Sequence, residues 1–180
     1  LYTISLNADW NGFFLSALFD GVGRQQWFPS DESLFWGMYN RPYNQVPTWH
    51  LQNYWTEERP NAYLPRYVGY YGPMNAGTAN INTRYLQDAS YIRLKNLTID
   101  YNFPKELIGK IGLQALKIYF SGENLLTFSP LKKHAKNYDP EGIYAGDADY
   151  GTGKYGTDNF GDGDGYPVMK SYTIGLTLTF

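Results

Sequence analysis

The clearest pattern in the chain is one of parity. Across the last segment the even positions read Val168, Lys170, Tyr172, Ile174, Leu176, Leu178 and Phe180, and the odd positions read Met169, Ser171, Thr173, Gly175, Thr177 and Thr179. A period of two sends alternate side chains to opposite sides of a pleated strand, so 168–180 is predicted to be a strand with one apolar and one polar face. At the other end of the chain Tyr2, Ile4, Leu6, Ala8 and Trp10 share a side opposite Thr3, Ser5, Asn7 and Asp9. Asn11-Gly12 is a tight-hairpin signal, and 13–22 returns as a second strand with Phe13, Leu15, Ala17 and Phe19 together. A third strand is predicted over 89–103, where Leu97, Ile99, Tyr101 and Phe103 alternate with Thr98, Asp100 and Asn102. Ile92 and Leu94 fall on the opposite parity, which calls for a β-bulge between Lys95 and Leu97 or a strand that extends above a membrane. A fourth strand carries Leu116, Ile118, Phe120, Leu126 and Phe128 on one parity, interrupted by Gly122 and Asn124.

In the first and last strands an aromatic closes the apolar stripe at both ends, Tyr2 with Trp10 and Tyr172 with Phe180. That separation spans about 26 Å at about 3.3 Å per residue, or about 20 Å of height at a tilt of about 40°. An outer-membrane barrel has an apolar band of about 25 Å between two aromatic girdles. A strand of a soluble sandwich alternates equally well, so single strands leave both readings open.

The connections separate the two readings. They run two residues at Asn11-Gly12, then about 60, about a dozen and about 38, the strict alternation of short and long that an up-and-down barrel requires. Loops that long are uncommon inside a compact soluble domain. The expected fold is all-β: an antiparallel up-and-down transmembrane β-barrel segment of about five strands. Long loops over 23–85 and 129–167 then face outside, with Asn11-Gly12 and 104–115 in the periplasm.

Composition adds to this picture. Aromatics make up 18% of the 180 residues, with 18 Tyr, and charged residues are also only 18%, below the roughly 25% of ordinary soluble domains. Tyrosine joins an apolar ring to a polar tip and suits a membrane interface, a carbohydrate surface or an all-β protein. The net charge is -2 and the 15 Lys and Arg are scattered, so there is no basic footprint for nucleic acid. Cysteine is absent, which removes disulfides, thiolate nucleophiles and Cys-based metal sites. The most apolar run, near 13–19, is far short of the roughly 18 residues of a membrane-spanning helix.

Several strings resemble successive C-terminal motifs of SusC/RagA-type TonB-dependent receptors. They are Asp88-Ala89-Ser90-Tyr91-Ile92-Arg93-Leu94-Lys95-Asn96-Leu97-Thr98, Ser121-Gly122-Glu123-Asn124-Leu125-Leu126-Thr127-Phe128, Tyr138-Asp139-Pro140-Glu141, and Tyr172-Thr173-Ile174-Gly175-Leu176-Thr177-Leu178-Thr179-Phe180. Tyr54-Trp55-Thr56-Glu57-Glu58-Arg59-Pro60-Asn61-Ala62 is similar to a loop motif of the same family. The resemblance implies a bacterial outer-membrane barrel of about 22 strands around an N-terminal plug. It further implies import of oligosaccharides or peptides with a SusD-like surface lipoprotein, energised by the TonB complex through the N-terminal part. Residues 1–180 would be the C-terminal part of such a receptor, with the plug lying outside them. The implied partners are the remainder of the receptor, the SusD-like lipoprotein, the TonB complex, the barrel-assembly machinery and outer-membrane lipid. No cofactor, nucleic acid or enzymatic activity is implied. The alternative is a soluble all-β glycan-binding module that uses surface tyrosines.

Candidate chemistry is sparse. His50 and His134 lie in different loops, and neither has a nucleophile at a spacing that would assemble a catalytic set. The acidic run Asp158-Asn159-Phe160-Gly161-Asp162-Gly163-Asp164-Gly165 offers carboxylates for calcium. It departs from the EF-hand loop, however, with Phe160 at a ligand position and no closing Glu, and reads better as a solvated loop. The first long loop concentrates Trp27, Trp36, Trp49 and Trp55 beside Phe28, Phe35, Tyr39, Tyr43 and Tyr54. These rings are expected to pack as a loop core around a short helix over 48–54, or, by family resemblance, to offer Trp27, Trp36, Trp49 and Trp55 to the lipoprotein lid or to sugars. The terminal stripe Tyr172, Ile174, Leu176, Leu178 and Phe180 resembles the strand signal that outer-membrane proteins present to the assembly machinery.

Overall fold

The computed structural model describes residues 1–29, 34–36, 48–66, 82–143 and 168–180. In chain order the strands are β1 (Tyr2–Trp10), β2 (Phe13–Val22), β3 (Gln26–Trp27), β4 (Tyr54–Trp55), β5 (Leu64–Arg66), β6 (Gln87–Asp88), β7 (Tyr91–Asn102), β8 (Ala115–Phe128) and β9 (Ser171–Thr179). Among the described residues two short α-helices, α1 (His50–Asn53) and α2 (Lys105–Ile108), lie in the connections. The chain divides into two compact units: Leu1–Arg24 with Ser90–Ser129 and Pro167–Phe180, and Gln25–Ala89 with Pro130–Tyr166.

The first unit is a five-stranded antiparallel meander in the order β1-β2-β7-β8-β9. Residues directly opposite in such a ladder point to the same side, so the register itself assigns the faces. The rung Ala8↔Leu15↔Ile99↔Phe120↔Ile174 crosses all five strands and is apolar throughout. The neighbouring rung Asn7↔Ser16↔Thr98↔Ser121↔Thr173 is polar throughout. The hairpin between β1 and β2 turns on Asn11 and Gly12, both at positive φ (49° and 86°), as a two-residue primed turn demands.

The phase break in the third strand is a bulge. Leu18 pairs with Asn96 and Phe19 with Leu94, so Lys95 is the extra residue on β7. Opposite it on β8, Leu94 pairs with Leu126 and Asn96 with Glu123, and Asn124 takes a left-handed φ of 52°. A bulge adds a residue without reversing the strand, so Ile92 and Leu94 rejoin the face of Leu97, Ile99 and Tyr101.

Strand ends differ modestly from expectation. The last strand begins at Ser171 rather than 168, because its ladder to β8 stops at Glu123↔Ser171, next to left-handed Asn124. There the Asn124 side-chain amide donates to the carbonyl of Met169 at 3.1 Å in place of a ladder bond. β7 begins at Tyr91 because the Ala89 amide donates to the Gln25 carbonyl at 2.9 Å, within the second unit. The connection over 104–115, read as a turn, contains α2 and a 3-10 turn (Gly109–Ile111) closed by Gly112 at φ 77°. Glycine accepts this left-handed helix stop without steric strain.

The second unit holds more structure than its sequence announced. β3 pairs antiparallel with β6, and β4 pairs parallel with β5. The helix expected over 48–54 is α1, ended where Tyr54 turns to extended backbone. The acidic run 158–165, with Tyr39 and Tyr43, lies outside the described residues.

Candidate functional site

Three surfaces carry the chemistry, and the first is the apolar face of the sheet. Ile4, Leu6, Leu15, Ile99, Ile118 and Leu176 lie on it and are 39–58% exposed. Aromatics border it where the short turns lie: Trp10 and Phe13 are opposite each other, and the Phe13 ring meets Tyr101 at 4.3 Å, which meets Phe103 at 4.9 Å. At the other border Tyr2 lies over Gly21 and donates its hydroxyl to the Tyr91 carbonyl at 2.9 Å, tying β1 to β7 across β2. Five strands about 4.8 Å apart and about 26 Å long present on the order of 600 Å² of apolar surface. Water-soluble proteins rarely expose a contiguous patch of that size.

The opposite face is polar and cross-linked by side chains. Lys117 reaches the Asp100 carboxylate at 3.3 Å, and Asp100 is itself only 6% exposed. Arg93 Nε donates to Thr127 Oγ1 at 2.9 Å, Ser171 to Glu123 at 3.2 Å, and Thr3 to Asp20 at 3.3 Å. Each of these last three pairs is directly opposite in register. One face suited to hydrocarbon and one to water is the arrangement of a barrel wall around an aqueous or plugged interior.

The third surface belongs to the second unit, whose core is aromatic. Phe35 is fully buried and meets Trp27, Trp36, Trp49 and Tyr63 edge-on at 4.9–6.5 Å. Leu64, Tyr85, Ala89, Leu131, Ala135, Tyr138 and Ile143 complete the cluster. Tyr63 is a hub: its hydroxyl donates to the Arg84 carbonyl and accepts from Gln87, both at 2.8 Å, and its ring stacks on His134 at 3.7 Å. Burial raises the Tyr63 pKa, against the Gln87 hydrogen bond, and lowers that of His134, with Lys133 adding to the latter. His50 is fully buried beside Trp49, at 4.3 Å. Burial pushes its pKa down to about 4, with only partial relief from the Phe35 backbone. Among the described residues nothing pairs either histidine with a nucleophile, and no three His, Asp or Glu side chains gather as a metal site.

No family model matches the chain. Its sequence is 35% identical over 131 residues to TonB-dependent receptor P3 of Formosa agariphila, covering 72% of this chain and 12% of that protein. A second relative of the same organism, TonB-dependent receptor P26, is 35% identical over 127 residues, covering 70% of this chain and 12% of that one. The fold matches the structure of the RagAB peptide transporter with a TM-score of 0.58 and 27% identity, over 98% of this chain and 16% of that one. The chain belongs to the TonB-dependent receptor family. It spans about an eighth of the length of the curated relatives it matches, 12%. A TonB-dependent receptor sits in the outer membrane, so the apolar face is the lipid face of its wall and the polar face looks inward. The same fold appears in the RagAB peptide importer in its open-open state, with a TM-score of 0.52 and 23% identity, over 99% of this chain and 17% of that one. These relatives are receptors and transporters, not enzymes.

On β9 of this receptor, Tyr172, Ile174, Leu176 and Leu178 all lie on the lipid face, with Phe180 just beyond the last rung and 80% exposed. Trp27 and Trp36 are buried in the aromatic cluster, so neighbouring rings occupy the surfaces they would offer a ligand. Trp49 packs against that cluster, and Trp55 is half-buried on β4. Sequence reading missed the Asp100–Lys117 pair. Its signal was available, since both residues fall on the polar parity of adjacent strands with opposite charge.

Proposed function

We propose that these residues form wall and surface loops of an outer-membrane nutrient importer of the SusC type. The whole receptor takes up oligosaccharides or peptides together with a SusD-like surface lipoprotein, and draws on TonB through its N-terminal part and plug. Residues 1–180 supply the C-terminal part of the barrel, with the long loops outside and the turns at Asn11-Gly12 and α2 in the periplasm. The supporting observation is the register that gathers every apolar stripe onto one exposed face across all five strands. The likeness to a peptide transporter over 98% of the chain favours peptides over sugars as the first substrates to try.

The test uses the intact receptor in its native cells. Disrupting it should abolish growth on a peptide or oligosaccharide mixture while leaving growth on amino acids and monosaccharides unchanged, and removing the neighbouring lipoprotein should reduce uptake as well. Unchanged uptake of both nutrient classes refutes the importer reading. Topology has its own readout: a thiol at Lys133 should react with an impermeant reagent on intact cells and one at Lys110 should not, and the reverse pattern inverts the orientation.

A further inference from the structure

We infer that the helical turn joining β7 to β8 is a membrane-interface anchor. In this reading α2 and the 3-10 turn after it lay Leu107 and Ile111 into the headgroup region of the adjoining phospholipid leaflet, with Lys105 and Lys110 toward lipid phosphates. The inference rests on the wall reading above and adds a lipid contact outside the strands.

Leu107 and Ile111 are 58% and 69% exposed. They belong to one continuous helical segment, Leu107 in α2 and Ile111 in the 3-10 turn that follows it. Between them Ile108 is 3% exposed, and its carbonyl accepts from the Leu113 amide at 3.2 Å, so the turn is a packed element that leaves Leu107 and Ile111 outside. The position along the wall identifies what covers them. Phe103 ends the aromatic row of Phe13, Tyr101 and Phe103, and only Pro104 separates it from α2. Such a row marks the level at which hydrocarbon gives way to headgroups. An element that starts one residue past it, on a wall a single sheet thick, lies at headgroup depth.

Composition agrees with that depth. The ten residues from Pro104 carry Lys105, Glu106 and Lys110, two positive charges against one negative. Interfacial helices combine an aliphatic side with basic residues, whose stems lie along apolar surface while the ammonium groups reach phosphate. The anchor thus continues the lipid face past the girdle at this turn. The Asn11-Gly12 turn is too short to do the same.

The intact receptor, freed of other thiols and reconstituted in vesicles of phosphatidylethanolamine and phosphatidylglycerol, provides the test. Leu107→Cys and Ile111→Cys each carry an environment-sensitive fluorophore, with Leu176→Cys as the lipid reference and Thr177→Cys as the inward one. Quenching is measured with lipids bearing a nitroxide close to the headgroup for the probes at 107 and 111, with lipids bearing one deep in the acyl chain for those at 176 and 177, and separately with iodide in the water. The expected result is that the probes at 107 and 111 lose most of their emission to the lipid nitroxide and little to iodide. Strong iodide quenching at both would mean a turn in water, and protection from both quenchers would mean a protein cover; either result overturns the anchor. Lipid quenching at 176 without it at 107 and 111 removes the anchor and leaves the wall standing. No lipid quenching at 176 removes the wall reading and the anchor with it.

Discussion

Tyr119 of β8 and Gly175 of β9 stand directly opposite each other on the inward face, and the tyrosine ring fills the space that a side chain at 175 would need. A Cβ built on Gly175 would collide with Cζ, Cε1 and Oη of Tyr119. A ring laid across a glycine of the neighbouring strand covers backbone that would otherwise be bare and helps pin the register. Gly175→Ala should therefore destabilise the folded receptor by about 1–3 kcal/mol through overpacking. The effect should shrink when Tyr119→Ala is made first, because the colliding ring is gone. Urea titration of the four proteins in lipid checks this, and additive effects would rule out the contact.

The two faces of β9 make a sharper contrast one residue further on. Leu176 is on the lipid face and Thr177 on the inward face. An arginine at Leu176 should cost about 2–4 kcal/mol if it meets the bilayer midplane, whereas Thr177→Arg should be far milder. Folding yield in lipid vesicles measures both. Equal tolerance at the two positions would contradict the assigned faces.

The second unit should loosen in acid because of His50. This side chain is buried with its pKa depressed from 6.5 to about 4, so folding favours the neutral ring and the unfolded chain holds the proton more tightly. Its contribution is complete above the unfolded value and is lost progressively as pH falls from 6.5 toward 4. The loss is about 3 kcal/mol at most if the full shift is realised. Fluorescence of Trp27, Trp36 and Trp49, all in or against the same cluster, should report a loop transition in that window. The transition should move to lower pH in His50→Phe. An unchanged midpoint in the variant would assign the acid response to another group.

Phe180 distinguishes packing from signalling. It follows the stripe of Tyr172, Ile174, Leu176 and Leu178 and is not itself in a ladder pair with β8. A packing role alone predicts a small local loss of stability when Phe180 is deleted. A role as assembly signal predicts instead that unassembled receptor accumulates in the periplasm, since a terminal strand can be read by edge pairing and its alternate side chains. Fractionation after pulse labelling separates the two. Normal arrival in the outer membrane would leave packing as its whole role.

The order and type of the five wall strands were legible because each depends on residues next to one another in the chain. Tyr2, Ile4, Leu6, Ala8 and Trp10 declare a strand face without reference to anything distant. The phase slip after Leu94 even indicated the bulge, because a bulge leaves its mark in local parity. The ends were less legible. Where β9 begins depends on the left-handed backbone of Asn124, a residue of the partner strand 47 positions before Ser171.

The loop unit was legible as a concentration of rings around a short helix. Trp27 packs on Phe35 and on Tyr138, and the Gln25 side chain donates to the Ile143 carbonyl at 2.6 Å across 118 positions. No local period encodes such contacts, so the sequence alone favoured a loop core for Trp27 and Trp36 and left a ligand platform open. Alternation determined the wall, since pleated backbone sends successive side chains to opposite sides whatever their partners are. Only the tertiary structure decided which rings are buried, which histidine is fully buried and where each ladder stops, because those outcomes depend on residues that meet only after the chain has folded back on itself.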